Sequence, residues 1–96
     1  MTYNIIFSTY INKTGEHTSQ LELEQYLVQL AKSANIKGFS LSQQLGYWQG
    51  ETEVSHTLTL LDTSRQSAFL VAETIKQHFK QDAVIVQPVK QTNYFI

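Results

Sequence analysis

The sequence predicts a single α+β domain in which two helices alternate with four strands. Two observations lead to this prediction: apolar side chains recur at helical spacing in two segments, and apolar and polar side chains alternate in the segments around them. The chain has 96 residues, of which 42% are hydrophobic. That is enough apolar material for one core and too short a chain for two. We therefore treat residues 1–96 as one domain.

The first strand is predicted over residues 4–11. Its side chains alternate between two faces, with Ile5 on one and Ile6 and Tyr10 on the other, and several of them are strong β-formers. Residues 12–17 show no periodicity and are predicted to form a loop.

The first helix is predicted to begin at Ser19, because Glu22 follows three residues later in the spacing of a capping box. Asn35 and Gly38 are expected to end it. Its apolar stripe consists of Leu23, Tyr26, Leu27, Leu30, Ala31 and Ala34.

The middle of the chain predicts a β-hairpin with a tight turn at Gln49 and Gly50. The apolar face pairs Phe39 with Leu60, Leu41 with Leu58, Gln43 with His56, and Leu45 with Val54. The polar face pairs Ser40 with Thr59, Ser42 with Thr57, and Gln44 with Ser55. A slip of one residue would place the apolar row of one strand against the polar row of the other, so the pattern supports this register.

Three consecutive residues are candidate caps for the second helix: Asp62, Thr63 and Ser64. Thr63 and Gln66 have capping-box spacing, and the helix is expected to end near Gln81. Its apolar stripe consists of Ala68, Val71, Ala72, Ile75 and Phe79. A short strand follows at residues 83–86. Pro88, two residues later, would interrupt a central strand.

The resulting order, βαββαβ, is typical of the ferredoxin-like fold, with one antiparallel sheet and both helices on a single face. The apolar C-terminus at residues 94–96 could add a short fifth strand. The apolar rows of the hairpin would then meet the two helix stripes, and the Ser, Thr and Gln rows would form an open sheet face. This face is either solvated, as is common for antiparallel sheets, or part of a dimer or trimer formed through sheet faces or edges. Outward-facing Ile6, Tyr10 and Trp48 favour the oligomer.

Two segments resemble the CutA family of the PII-like superfamily. From residue 46 the chain reads GYWQGETEVSHTLTLLDT, which is similar to the hairpin of that family, and IKQHF with the closing PV and NYFI is similar to its last helix and strand. The resemblance implies the same fold and an oligomer. The copper-linked cysteine of the family is absent, and Ala83 stands where proline is usual, so no metal site is implied.

A second resemblance is to an uncharacterised bacterial lipoprotein family. It rests on Gly38 and Phe39, on the Gly46, Tyr47 and Trp48 run, and on residues 79–84. The export signal of that family is not found in residues 1–11. This resemblance also implies the fold and no reaction.

Composition excludes several classes of function. Seven Lys and Arg against eight Asp and Glu give a net charge of −1, which does not suit binding to a phosphate backbone, so no nucleic-acid partner is expected. No apolar run approaches the ~20 residues that cross a bilayer, and we expect a soluble cytoplasmic protein with no membrane partner. With no cysteine and no cofactor motif, no cofactor is expected.

His56 is the least expected residue on the apolar face, because a buried polar group without a partner is costly. It either satisfies Gln43 across the strands, or contacts a ligand at the mouth of a pocket between sheet and helices. His17 and His78 lack a second ligand at helical spacing, so no metal site is expected.

Tyr47 and Trp48 form an aromatic turn suited to a protein interface or a ligand lip. Lys13 lies in the loop before the first helix, where an anion could bind at the helix N-terminus. The candidate ligand or interface residues are Gln43, Tyr47, Trp48, His56, Tyr10 and Lys13.

These observations predict a small non-enzymatic module that forms a homo-oligomer and binds a protein or a small ligand. The alternatives are a cofactor-free enzyme that uses His56 as acid or base, and an accessory protein of a phage or mobile element that binds a host protein.

Overall fold

The computed structural model describes residues 1–11, 16–17, 19–48 and 50–90. Its elements are β1 (Thr2–Phe7), β2 (Tyr10–Ile11), β3 (Glu16–His17), α1 (Gln20–Ser33), β4 (Gly38–Trp48), β5 (Glu51–Leu61), α2 (Arg65–His78) and β6 (Ile85–Val89). Apart from the two-residue strands β2 and β3, this is the predicted βαββαβ order, so the ferredoxin-like α+β fold is confirmed.

Four strands form the main sheet in the order β4-β5-β1-β6, and every neighbouring pair is antiparallel. The predicted hairpin register is confirmed from Phe39 opposite Leu60 to Leu45 opposite Val54. β6 continues through Pro88, which lies opposite Tyr3. Proline is tolerated here because β6 is an edge strand and needs hydrogen-bond partners on one side only.

The core lies between one face of this sheet, here called the inner face, and both helices. Its buried members include Ile5, Phe7, Leu58 and Leu60 from the sheet, Leu23 and Leu27 from α1, and Val71, Ala72 and Ile75 from α2. Leu41 packs against this cluster from β4. The two helices therefore cover the same face, as the apolar rows predicted.

The N-terminal segment differs from the prediction of one strand over residues 4–11. β1 ends at Phe7, and Tyr10–Ile11 pairs with Glu16–His17 in a separate two-stranded sheet. The predicted loop at residues 12–17 is therefore wrong at its end. Alternation of side chains continues across such a break, and so it does not show where a chain changes its pairing partner.

The helix caps agree with the prediction at α1 and differ by one residue at α2. The Ser19 hydroxyl accepts a hydrogen bond from the backbone N–H of Glu22. At α2 the cap is Ser64, which accepts from the N–H of Ser67, whereas Thr63 is buried and donates to the carbonyl of Leu61. Three consecutive polar residues offered a cap there, and packing of Thr63 leaves Ser64 at the helix end.

Left-handed residues stop both helices. Asn35 follows α1 with φ of 55° and Lys80 follows α2 with φ of 52°. α2 consequently ends at His78, short of the predicted Gln81.

Some predictions lie outside the described residues: the fifth strand at residues 94–96 and the anion site at Lys13. Neither α1 nor α2 has the length and apolar character required to cross a bilayer.

Candidate functional site

The β4–β5 hairpin extends beyond the helices. Each of its strands has 11 residues, a length of about 36 Å, whereas each 14-residue helix spans about 21 Å. Leu45 is 76% exposed, Tyr47 74% and Val54 43%. We call these three residues the distal hairpin row. The expectation that every apolar pair of the hairpin meets a helix is therefore wrong for its outer end.

His56 lies at the boundary between the covered and the uncovered part of the inner face. It is 4% exposed, and its ring centroid is 5.6 Å from that of Phe7. Gln43 is its cross-strand neighbour, as predicted. However, Nδ1 of His56 is buried without a hydrogen-bond partner. Gln43 lies on the edge strand with its side chain exposed, so the predicted mutual hydrogen bond is not formed.

Burial gives His56 a particular protonation state. Desolvation lowers the pKa of the His56 imidazole from its ordinary value of 6.5, because a charged ring loses its hydration. The ring is therefore neutral at neutral pH.

His78 belongs to an aromatic cluster at the end of the core. Its ring stacks on Tyr26 at 3.8 Å between centroids, and Tyr26 meets Phe79 edge-on at 5.5 Å. Phe79 in turn stacks on Phe7 at 5.9 Å. Burial also raises the pKa of Tyr26. These contacts give His78 a packing role, in addition to its position in the last turn of α2.

The cavity between the sheet and the helices is small and apolar. It has a volume of about 10 Å³, close to the least that holds one water molecule. It is lined by Leu27, Leu30, Ala31, Ile36, Phe39, Leu58, Leu60 and Val71. His56 is not among them. This cavity is too small to accommodate a substrate.

The open face of the sheet carries no charged side chain in its central rows. One row across the four strands consists of Ser40, Thr59, Asn4 and Gln87. The next consists of Ser42, Thr57, Ile6 and Ile85. Polar groups partly satisfy one another here: the Thr57 hydroxyl donates to Gln44 Oε1 at 2.8 Å, and the Thr59 hydroxyl donates to Asn4 Oδ1 at 2.7 Å. Ile85 is 57% exposed beside Ile6.

Charged groups in the described residues lie elsewhere. Lys37 Nζ is 2.9 Å from a carboxylate oxygen of Asp62, at the exposed end of the sheet. The hydrogen bond and charge of Lys37 lower the pKa of Asp62. Arg65 lies over the Phe69 ring, 5.3 Å from its centroid, on the solvent side of α2.

The predicted site residues are brought together only in part. Gln43 and Tyr47 share the inner face of β4 with Leu45 between them, and His56 lies opposite Gln43. For Tyr10 and Trp48 the structure describes only the backbone: Trp48 pairs with Glu51 at the hairpin end, whereas Tyr10 belongs to the small second sheet. Their roles stay predictions.

The exposure of the distal hairpin row was missed from the sequence, although the length of the two alternating segments was the signal that could have revealed it. Within the described residues, no group of three or more His, Asp or Glu side chains is arranged to hold a metal ion.

Comparison with known proteins gives structural neighbours without close sequence similarity. No family model and no curated protein matches the chain. A phage SAM lyase in the apo state matches with a TM-score of 0.72 and 19% identity, over 88% of this chain and 75% of that one. A phage SAM lyase in complex with S-methyl-5'-thioadenosine matches with a TM-score of 0.64 and 17% identity, over 88% and 76% of the two chains.

A DUF3240 family protein from Shewanella baltica matches with a TM-score of 0.57 and 12% identity, over 99% of this chain and 96% of that one. At these identities the likenesses concern the fold. The resemblance to the PII-like and CutA families is not supported by a family match, and the common ground is the small ferredoxin-like fold.

Proposed function

We propose that this chain is a small binding module that works as a homo-oligomer, a dimer or trimer assembled through its sheet. The observation that supports this most strongly is the uncharged sheet surface: the central rows of the open face carry no charge, and the distal hairpin row is apolar and uncovered.

Both features are typical of protein interfaces. Interface cores are depleted of charged residues, and clusters of exposed apolar side chains often mark binding surfaces. A face that meets only water gains solubility from charged side chains. Here the described charges lie on the helices, in their connections, on β3 and at the two ends of the main sheet, where Glu51 and Glu53 belong to the hairpin end.

The ligand is proposed to bind at the hairpin end, where the side chain of Tyr47 is exposed. An exposed aromatic ring suits a compact organic cation. Two structural neighbours are SAM lyases, one of them with a bound methylthioadenosine. We therefore propose sulfonium nucleosides, with S-adenosylmethionine as the first compound to test, and their thioether products.

Calorimetric titration of the purified protein with S-adenosylmethionine and with methylthioadenosine tests the ligand class. We expect saturable binding of the sulfonium compound. Tyr47→Ala should weaken it about tenfold, the size of a desolvated cation contact with a ring, while the matched variant Tyr47→Phe keeps the ring and the affinity. Absence of binding for both compounds would overturn the ligand class and leave self-association to be judged by molar mass.

The second candidate is a cofactor-free enzyme that acts on the same ligand. Its support is the fold shared with the SAM lyases and a His56 imidazole that is neutral at neutral pH, as a general base requires. His56 is buried and does not line the small cavity between the sheet and the helices, which favours the binding module. Incubation with S-adenosylmethionine and chromatography of the products decides between them. Turnover that is lost in His56→Gln would favour the enzyme, whereas unchanged ligand would favour the binding module.

A further inference from the structure

We propose that the outer edge of β4, with which no strand of the described residues pairs, is a self-recognition surface, on which β4 of a second copy pairs antiparallel about a two-fold axis at Gln43. This inference rests on the proposed self-association and names its surface and geometry. The result would be a dimer with one continuous eight-stranded sheet.

The two edges of the main sheet differ in length and composition. β6 has five residues, and Pro88 among them lacks a backbone donor. Short edge strands and prolines are the usual means by which proteins block pairing at an edge. β4 has 11 residues and includes no proline and no charged residue. An exposed edge of this kind is a template for another strand.

Large side chains are exposed along the outer half of β4. Leu45 and Tyr47 are both about three-quarters exposed, although they continue the row in which Phe39 and Leu41 pack against the core. A strand placed beside β4 would cover these side chains from the edge.

The sequence of β4 is complementary to itself in an antiparallel pair, because apolar residues then lie opposite apolar ones. A two-fold axis at Gln43 places Leu41 opposite Leu45 of the second copy, and Phe39 opposite Tyr47 of the second copy. On the open face it places Ser42 opposite Gln44 and Ser40 opposite Gly46. Because the axis passes through a residue, each row stays on its own face. Cross-strand pairs of apolar and aromatic side chains stabilise a sheet.

Neighbouring registers that preserve the faces are poorer. An axis at Ser42 sets Leu41 opposite Gln43, and an axis at Gln44 sets Leu45 opposite Gln43 and leaves Phe39 beyond the end of the partner strand. An axis at Leu41 or Leu45 shortens the paired segment further. The Gln43 axis therefore uses the edge most fully and covers both exposed side chains in each copy.

Introducing a positive or a negative charge at position 43, on the two-fold axis, tests this geometry. The Gln43 side chain is exposed, so Gln43→Lys and Gln43→Glu should fold, as circular dichroism would show. In either variant the new charge at position 43 lies beside the same charge of the second copy. Like charges set together at an interface cost several kcal/mol, so we expect the dissociation constant of the dimer to rise about a hundredfold. Equal mixing of the two variants should restore a dimer, because opposite charges then meet.

Ser40→Lys is the matched control. It adds the same charge to the same strand at an exposed position, but in the proposed register it faces Gly46. We expect it to remain a dimer. Sedimentation velocity at matched concentrations gives the molar mass of each variant and of the mixture.

The outcomes separate the two proposals. A wild-type oligomer that persists in both Gln43 variants, or a wild-type trimer, would overturn the β4 edge and leave self-association standing. A wild-type monomer would overturn self-association itself. Two monomeric variants that form a dimer only when mixed would establish the register.

Discussion

His56 is a polar residue in an otherwise apolar core, and it lowers the stability of the folded state. It packs against Phe7 with Nδ1 unpartnered, at the point where the inner face leaves the helices. A buried polar atom without a partner costs about 1–3 kcal/mol. An apolar side chain of similar size would avoid this cost.

We therefore expect His56→Leu to raise the free energy of unfolding by about 1 kcal/mol, as measured by urea denaturation above neutral pH. His78→Leu is the control, because His78 is an exposed histidine that stacks on Tyr26, and its replacement should not stabilise the protein. A loss of stability in His56→Leu would mean that His56 has a partner that this account lacks.

The same residue makes stability depend on pH. Its pKa in the folded state lies below the ordinary 6.5. At a pH well above 6.5 the ring is neutral in both the folded and the unfolded state, and no stability is lost. As the pH falls below it, the unfolded chain takes up a proton before the folded chain does, so the free energy of unfolding decreases until the folded-state pKa is passed.

Denaturation curves at pH about 7.5 and about 5.5 test this sign. Wild type should lose more stability over this interval than His56→Leu. Equal losses in the two proteins would exclude His56 as the source.

Residue positions on the sheet could be predicted, but not all of their contacts. The predicted turn at Gln49 and Gly50, together with alternation of period two, placed Gln43 opposite His56. It could not show that Gln43 is solvated at an edge while Nδ1 of His56 is enclosed, because strand order and helix coverage decide these contacts.

At the scale of elements, helix positions could be predicted more reliably than their ends. The apolar stripes identified α1 and α2, and one clear cap candidate, Ser19, gave the start of α1. Before α2 the sequence offers Asp62, Thr63 and Ser64 in succession. Spacing to Gln66 favoured Thr63, but burial of Thr63 takes it out of the helix and leaves Ser64 as the cap.

The cap assignment predicts that Ser64→Ala lowers the free energy of unfolding by about 1 kcal/mol, because the N–H of Ser67 loses its acceptor. Gln66→Ala serves as the control and should change stability little, since alanine is a good helix former at this exposed site. Thermal unfolding of both variants measures the difference. A larger effect at Gln66 than at Ser64 would restore the capping box proposed from the sequence.

At the scale of the whole molecule, topology followed from the order of patterns. Two helical stripes separated by a long hairpin leave few arrangements that bury every apolar row, and the ferredoxin-like sheet with both helices on one face is the one observed. The overhang of the hairpin depends on comparing strand and helix lengths in ångströms, which periodicity does not provide. In the proposed oligomer a second copy covers this overhang, and one sequence does not describe a contact between copies.

We propose that this domain works as a homo-oligomer, because its open sheet face lacks charge in its central rows and its distal hairpin row is uncovered. Light scattering of the wild-type protein over a wide range of concentrations measures its molar mass in solution. Self-association through the sheet predicts a mass of at least twice the 11.0 kDa of one chain, with dissociation only on strong dilution. A mass of one chain at every concentration would contradict it.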